Sequence, residues 1–170
     1  MNRMAQFEKV SKERFITDWL DKFPDSNKEL AEDIYENIKL PKRATKGSAG
    51  YDFFSPVAFV LAPGETITIP TGIRAKMDDN WVLMLFPRSG LGFKYRLQLN
   101  NTVGIVDSDY YYSDNEGHIF EKITNDSNEN KIVEVQAGMG FSQGIFVPFG
   151  ITMDDDTDGI RNGGFGSTTK

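Results

Sequence analysis

Between Ser11 and Phe23 the apolar residues Phe15, Ile16, Trp19, Leu20 and Phe23 recur at the spacing of one helical face, and Pro24 ends the run. Ser26-Asn27-Lys28-Glu29 then has the form of a capping box, followed by Leu30, Ile34, Tyr35 and Ile38 as the stripe of a second helix. The pattern predicts a helical hairpin within residues 1–38, with its aromatic stripe turned to a core rather than to a ligand. From Lys39 the period changes. Short strand-like runs follow at Tyr51–Phe54, Val57–Leu61, Thr66–Ile69, Trp81–Phe86, Arg96–Leu99, Val103–Val106, His118–Ile123, Ile132–Val135 and Gly144–Val147. Turn signals such as Ala62-Pro63-Gly64-Glu65 and Asp114-Asn115-Glu116-Gly117 separate them. Many short strands at this spacing predict a mainly β unit over residues 39–153, as a sandwich, jelly roll or barrel. Residues 154–170 are polar and Gly-rich and read as a mobile tail.

Chemistry-bearing residues gather between Asn101 and Tyr110. The β-branched run Val103–Val106 encloses Gly104, and a mid-strand glycine marks a bulge or a close approach to the backbone. The run ends on Asp107, Asp109 and Tyr110. A carboxylate directly after a buried strand lies at a sheet edge, where a base can face a substrate. Asp-Ser-Asp is equally common turn chemistry.

Composition narrows the choices. The 170 residues suit one domain with a sizeable core. There is no cysteine, which removes disulfides, thiolate metal sites and a cysteine nucleophile. One histidine, His118, argues against a Ser-His-Asp triad or a multi-histidine zinc site; a surface position is expected for it, and a carboxylate is the expected base. The N-terminus lacks the apolar core of a signal peptide and no run is long enough to span a bilayer, so a cytoplasmic protein without membrane contact is expected. With 19 basic and 25 acidic residues the net charge is −6, which disfavours nucleic acid as a partner. A small phosphorylated ligand remains compatible, given local arginines, backbone amides and a divalent cation.

Three further stretches bear on this. Pro87-Arg88-Ser89-Gly90-Leu91 ends an apolar strand and offers a guanidinium fork, a hydroxyl and an exposed amide, all suited to phosphate. Arg161-Asn162-Gly163-Gly164-Phe165-Gly166-Ser167-Thr168 combines an arginine, amides and hydroxyls, and its Phe165 could stack on a flat base. Asp154-Asp155-Asp156-Thr157-Asp158-Gly159 begins like a calcium loop, but Phe165 stands where the bidentate glutamate belongs, so a solvated acidic linker is expected.

Together these stretches resemble the trimeric dUTP pyrophosphatases. Ala49-Gly50-Tyr51-Asp52, Pro87 to Leu91, Asn101 to Tyr110, Gly138 to Gln143, and Gly163 to Thr168 resemble that family's five motifs in order, and the likeness runs from Lys39 to the C-terminus. There are departures: Gly117 closes the third motif seven residues after Tyr110 instead of two. Gly140 stands where the fourth motif has an arginine, and Arg161 precedes Phe165 by four residues instead of five. The resemblance implies a jelly-roll β-barrel with the helical hairpin as an N-terminal extension. It implies hydrolysis of dUTP to dUMP and pyrophosphate, with Mg²⁺ on the phosphates and Asp107 activating the attacking water. In that picture Arg88, Ser89, Gly90, Gln143, Arg161, Gly166, Ser167 and Thr168 bind phosphate. Asn101, Gly104, Ile105, Val106, Tyr110, Phe120 and Phe165 hold the uracil and deoxyribose, and Asp52 reaches the metal through water only. A homotrimer with sites shared between chains is implied as well. Two other classes stay open: a dCTP deaminase-like relative, and a non-catalytic nucleotide binder that regulates another protein.

Overall fold

The structure, a computed structural model, describes residues 3–163. The chain opens with a strand, β1 (Ala5–Lys9), that the hydrophobic pattern does not announce, because Phe7 is its only large apolar residue. Helix α1 (Lys12–Lys22) follows, capped by Ser11, whose hydroxyl accepts from the Arg14 amide at 3.1 Å. Helix α2 (Lys28–Asn37) begins one residue later than the capping box predicts. Its cap is Asn27, which accepts from the Leu30 amide at 2.9 Å, whereas the Ser26 hydroxyl is taken by the Trp19 indole N–H at 3.1 Å. The reason is burial: Trp19 is only 2 % exposed, and its indole donor needs a partner.

Next come β2 (Lys42–Arg43), β3 (Tyr51–Phe54), β4 (Phe59–Leu61), β5 (Thr66–Pro70), β6 (Ile73–Met77) and β7 (Trp81–Pro87). A short helix α3 (Ser89–Tyr95), unforeseen in a stretch holding two glycines, leads to β8 (Leu97–Leu99) and β9 (Gly104–Val106). A 3-10 turn over Ser108–Tyr112 separates these from β10 (Phe120–Asn125), β11 (Val133–Val135) and β12 (Gly140–Pro148). Three of these strands, β1, β2 and β6, have no counterpart among the nine predicted runs.

The protein is mainly β. Among the described residues the strands form four antiparallel sheets ordered β2-β3-β12-β7-β9, β5-β10-β8, β1-β6 and β11-β4. Residues that alternate inward, such as Phe53, Ile69, Leu83, Leu85, Leu97 and Ile123, make one core. A bulge in β12 opposite Phe54 and Phe53 tucks Phe141 into that core. The N-terminal segment is bound to this body through β1, which pairs with β6 from Ala5 opposite Met77 to Lys9 opposite Ile73. The two helices pack on each other, and α1 also lies against β5. The left-handed Gly72 (φ +73°) permits that closeness, since a Cβ there would fall 2.2 Å from Ile38 Cδ1.

Candidate active site

Antiparallel pairing sets the geometry. In the five-stranded sheet Gln143 of β12 stands opposite Asp52 of β3 on one side and Phe86 of β7 on the other. Arg88, one residue past β7, therefore meets Asp52, Nε to Oδ1 at 3.3 Å, and donates to the Gly140 carbonyl at 3.1 Å. A Cβ at Gly140 would lie 2.8 Å from Arg88 Nη1, so glycine here makes room for that guanidinium. Gln143 donates to the Pro87 carbonyl at 3.2 Å, and Gly50 leaves space for its amide oxygen, which a Cβ would approach to 2.5 Å. Arg88, Ser89, Gly90 and Gln143 line one open depression. The first, second and fourth stretches of the sequence thus meet in a cationic corner with one carboxylate.

A second hollow, about 410 Å³, opens between the ends of β8, β9 and β10. Asn101, Gly104 and Phe120 line it, together with Leu85, Leu99 and Glu121. Gly104 pairs with Leu85, and a Cβ on it would come within 3.0 Å of the Leu85 side chain. The glycine holds two strands close at the wall of a mostly apolar slot whose rim carries strand backbone. Ile105 is half exposed and Val106 buried, as alternation along β9 requires.

At the end of β9, Asp107 leads into the 3-10 turn that carries Asp109 and the buried Tyr110. Arg161 reaches back to this turn. Its Nη2 pairs with Asp107, its Nε donates to Asp109 Oδ1 at 2.9 Å, and its guanidinium carbon lies 5.9 Å from the centre of the Tyr110 ring. Burial, the largest influence, pushes the Tyr110 phenol above its ordinary pKa, which keeps it neutral. Arg161 therefore sits on the carboxylates, away from Arg88. No hydrogen bond or ion pair among the described residues links the Asp107 group to the Arg88 group. Phe165, Gly166, Ser167 and Thr168 lie outside the described residues.

Two residues differ from their sequence reading or were absent from it. His118 is not a surface residue: it is 0 % exposed, with Nδ1 2.6 Å from Asp18 Oδ2 and Nε2 accepting from the Gly72 amide at 2.8 Å. The sequence around a lone histidine does not announce this burial, because its partners are 100 and 46 residues away. Glu121 is 2 % exposed beneath the slot, with Oε1 accepting from Ser142 at 2.7 Å and Oε2 without a partner. Burial pushes its carboxyl up to about 8, so it is protonated at neutral pH. The alternation of β10 held the signal, since Glu121 is in phase with the inward Ile123 and Asn125.

Comparison with known proteins identifies the family. The dUTPase family model matches residues 36–169. The chain is 42% identical over 139 residues to the deoxyuridine 5'-triphosphate nucleotidohydrolase of Lactococcus lactis, covering 79% of this chain and 91% of that one. Among solved structures it is similar to dUTPase from Streptococcus mutans, with a TM-score of 0.62, 35% identity, and coverage of 86% of this chain and 97% of that one. It also shares the fold of the Staphylococcus bacteriophage 80alpha dUTPase with dUpNHpp, at TM-score 0.64 and 20% identity, covering 95% and 92% of the two chains. A mainly β chain with a slot beside a carboxylate turn is thus a nucleotide-hydrolase fold. The chain belongs to the dUTPase family, the deoxyuridine 5'-triphosphate nucleotidohydrolases.

Proposed function

We propose that the chain hydrolyses dUTP to dUMP and pyrophosphate with Asp107 as the base, on a jelly-roll barrel whose sites are completed by neighbouring copies. The observation that carries this is the continuity of β9. The strand supplies the slot wall at Gly104, and the residue directly after it, Asp107, supplies the carboxylate. A base held in the slot would present its edge to the backbone of Asn101, Gly104, Ile105 and Val106. Cytosine exchanges donor for acceptor at position 4 and would leave buried groups unpaired, which discriminates strongly. The buried Tyr110 would underlie the sugar, and Phe120 the slot mouth.

Asp107 would orient a water and take its proton as the water oxygen bonds to the α-phosphorus. The bond from that phosphorus to the bridging oxygen breaks, and pyrophosphate leaves with the electron pair. Arg161 neutralises Asp107 in the free chain. A triphosphate would draw the guanidinium away and free the carboxylate, joined by Arg88, Ser89 and Gly90 at the anionic end and by Gly166, Ser167 and Thr168 of the tail.

Among the described residues no cluster of three histidine or carboxylate groups could hold a metal alone. That donor set fits Mg²⁺ bound chiefly by phosphate oxygens and water, with Asp52 accepting from the water shell. The ion supplies charge that offsets the triphosphate.

The homotrimer in this reading is supported by the exposed segment that follows β12. Phe149, Ile151 and Met153 alternate and are exposed, and three aspartates follow them. A cleft lined by Phe7, Leu40, Tyr51, Trp81, Arg43 and Lys46 has matching apolar and cationic chemistry for this segment from another copy. Among the described residues no helix is long and apolar enough to cross a membrane. The test is pyrophosphate release from dUTP, dTTP, dCTP and UTP, with EDTA and with Mg²⁺ restored. Strong Mg²⁺-dependent preference for dUTP is expected. Comparable rates on dTTP or UTP would sink the reading, ammonia from dCTP would mark a deaminase, and saturable dUTP binding without turnover would mark a regulatory binder.

A further inference from the structure

The turn from Tyr110 to His118 contains no strand, yet it is held at three points, each time with the N-terminal segment as partner. At its tip, Ser11 donates its amide to Glu116 Oε2 at 2.7 Å and its hydroxyl to Oε1 at 2.6 Å. On its flank, Tyr111 donates its hydroxyl to Glu8 Oε2 at 2.7 Å, an oxygen that also accepts from Arg74 at 2.9 Å. The Arg74 guanidinium lies 4.3 Å from the centre of the Tyr111 ring. At its base the His118 ring joins Asp18 of α1 to the Gly72 amide. An amide only donates, so Nε2 must accept, the proton sits on Nδ1, and the ring is a neutral spacer of fixed orientation.

The same residues hold Tyr110 from the other side. Its hydroxyl donates to the His118 carbonyl at 2.7 Å and accepts from Asn115 at 2.8 Å. Gly117 (φ +70°) passes so close that a Cβ would lie 2.7 Å from the Tyr110 carbonyl oxygen. Glu116 takes φ +61°, a conformation glycine adopts freely and a residue with a Cβ does not. The turn's backbone alone would favour glycine there. Glutamate supplies a carboxylate that reaches Ser11 at the N-terminus of α1, where negative charge is favoured. Burial works against that charge, but the two bonds from Ser11 prevail and hold Glu116 below its ordinary pKa.

We propose that the N-terminal segment is a brace for the nucleotide site: through Glu116 and His118 it fixes Tyr110 against the sugar, and so sets discrimination between deoxyribose and ribose. Glu116 and His118 are positioning residues in this scheme, which rests on Tyr110 facing the sugar as in the function proposed above. The decisive variant is Glu116→Gly. It removes the clamp while relieving the backbone, so the chain should fold with a urea midpoint close to the wild type. Two readouts follow: amide hydrogen exchange over residues 108–117, and titration with non-hydrolysable dUTP and UTP analogues. Faster exchange in 108–117 and in the first turn of α1 is expected. The dUTP-to-UTP affinity ratio should fall by about tenfold or more, since small misplacements of positioning groups have effects of that size. Glu116→Gln, which keeps an acceptor for Ser11, should fall between. Glu36→Ala, which removes only the surface pair with Lys12, should match wild type in both. Unchanged exchange overturns the brace, and altered exchange with an unchanged ratio overturns its part in selectivity. In either case wild-type preference for dUTP leaves the function standing. A wild type that binds neither analogue overturns the function, and the brace's purpose with it.

Discussion

Replacing Glu121 by glutamine should stabilise the protein at neutral and alkaline pH, by an amount that grows with pH, and not at pH 5. The carboxyl is fully buried, bonded only to Ser142, and pushed up from 4.5 to about 8. In the unfolded chain it ionises near 4.5, so between these values the folded state holds a proton that the unfolded state has released. A raised carboxyl of this kind costs nothing below the unfolded value, and its stability is lost as pH rises toward the folded one. The slope is about 1.4 kcal/mol per pH unit, reaching about 3 kcal/mol near pH 7 and on the order of 5 kcal/mol above the folded value. Glutamine keeps the acceptor for Ser142 and does not ionise. Its amide still lacks partners where Oε2 has none, which returns about 1 kcal/mol or more of the gain. Glu121→Gln should therefore be equal or slightly inferior in urea melts near pH 5, and clearly superior near pH 9, with m unchanged. Protein concentration is held fixed in both series, because the proposed assembly would add to apparent stability. Other groups shape each curve but cancel in the difference. Parallel curves for the two chains across this range would refute a buried, protonated carboxyl beneath the slot.

Asp107→Asn should bind dUTP and lose about 10²-fold or more in kcat, as loss of a positioned base does; near-normal turnover would move the base, with Asp109 next. His118→Ala should destabilise by about 2–4 kcal/mol, because it opens a cavity and strands the Asp18 carboxylate and the Gly72 donor. Burial, chief among its influences, holds the His118 ring below its ordinary pKa, so its stabilising contribution is full above about 6.5 and fades as pH falls below it, where His118→Ala should melt more nearly like wild type. Finally, Asp107→Asn refolded with a chain stopped before Arg161 should regain activity in mixed trimers if base and tail come from different copies; mixed trimers confirmed by mass but inactive would exclude shared sites.

The parts of the candidate site whose placement was legible in the sequence are those set by local backbone. Gly104 within a β-branched run, Arg88 after a proline-ended strand and Asp107 at a strand end each carry their meaning in a few neighbouring residues. Strand existence was legible where large apolar residues crowd together, as in Tyr51–Phe54 and Trp81–Phe86, and it was missed at β6, where Ile73, Ala75 and Met77 alternate with Arg74 and Lys76. It failed also at β1, whose conformation comes from pairing with β6, and at β2, two residues long and cationic. It failed at Ser26 because the demand that reassigned the cap, a buried indole donor, lies seven residues back. Glu121 was passed over because glutamate is ordinarily outside, and only its phase with Ile123 says otherwise.

The brace was illegible for a stronger reason. Its pairs, Ser11 with Glu116, Asp18 with His118 and Glu8 with Tyr111, are separated by 105, 100 and 103 residues. Read alone, the helices look like an appendage and the lengthened turn like a loop insertion, each free to vary without the other. Their contacts say the opposite. Without α1, His118 would lose the acceptor for its Nδ1 proton and the wall that excludes water from it. Glu116 would keep a strained backbone with no partner for its carboxylate to justify it. Without the long turn, Ser11, Glu8 and Asp18 would in turn lose their bonds to Glu116, Tyr111 and His118. The two departures from a minimal chain are two halves of one interface, and a change in either is a change at Tyr110.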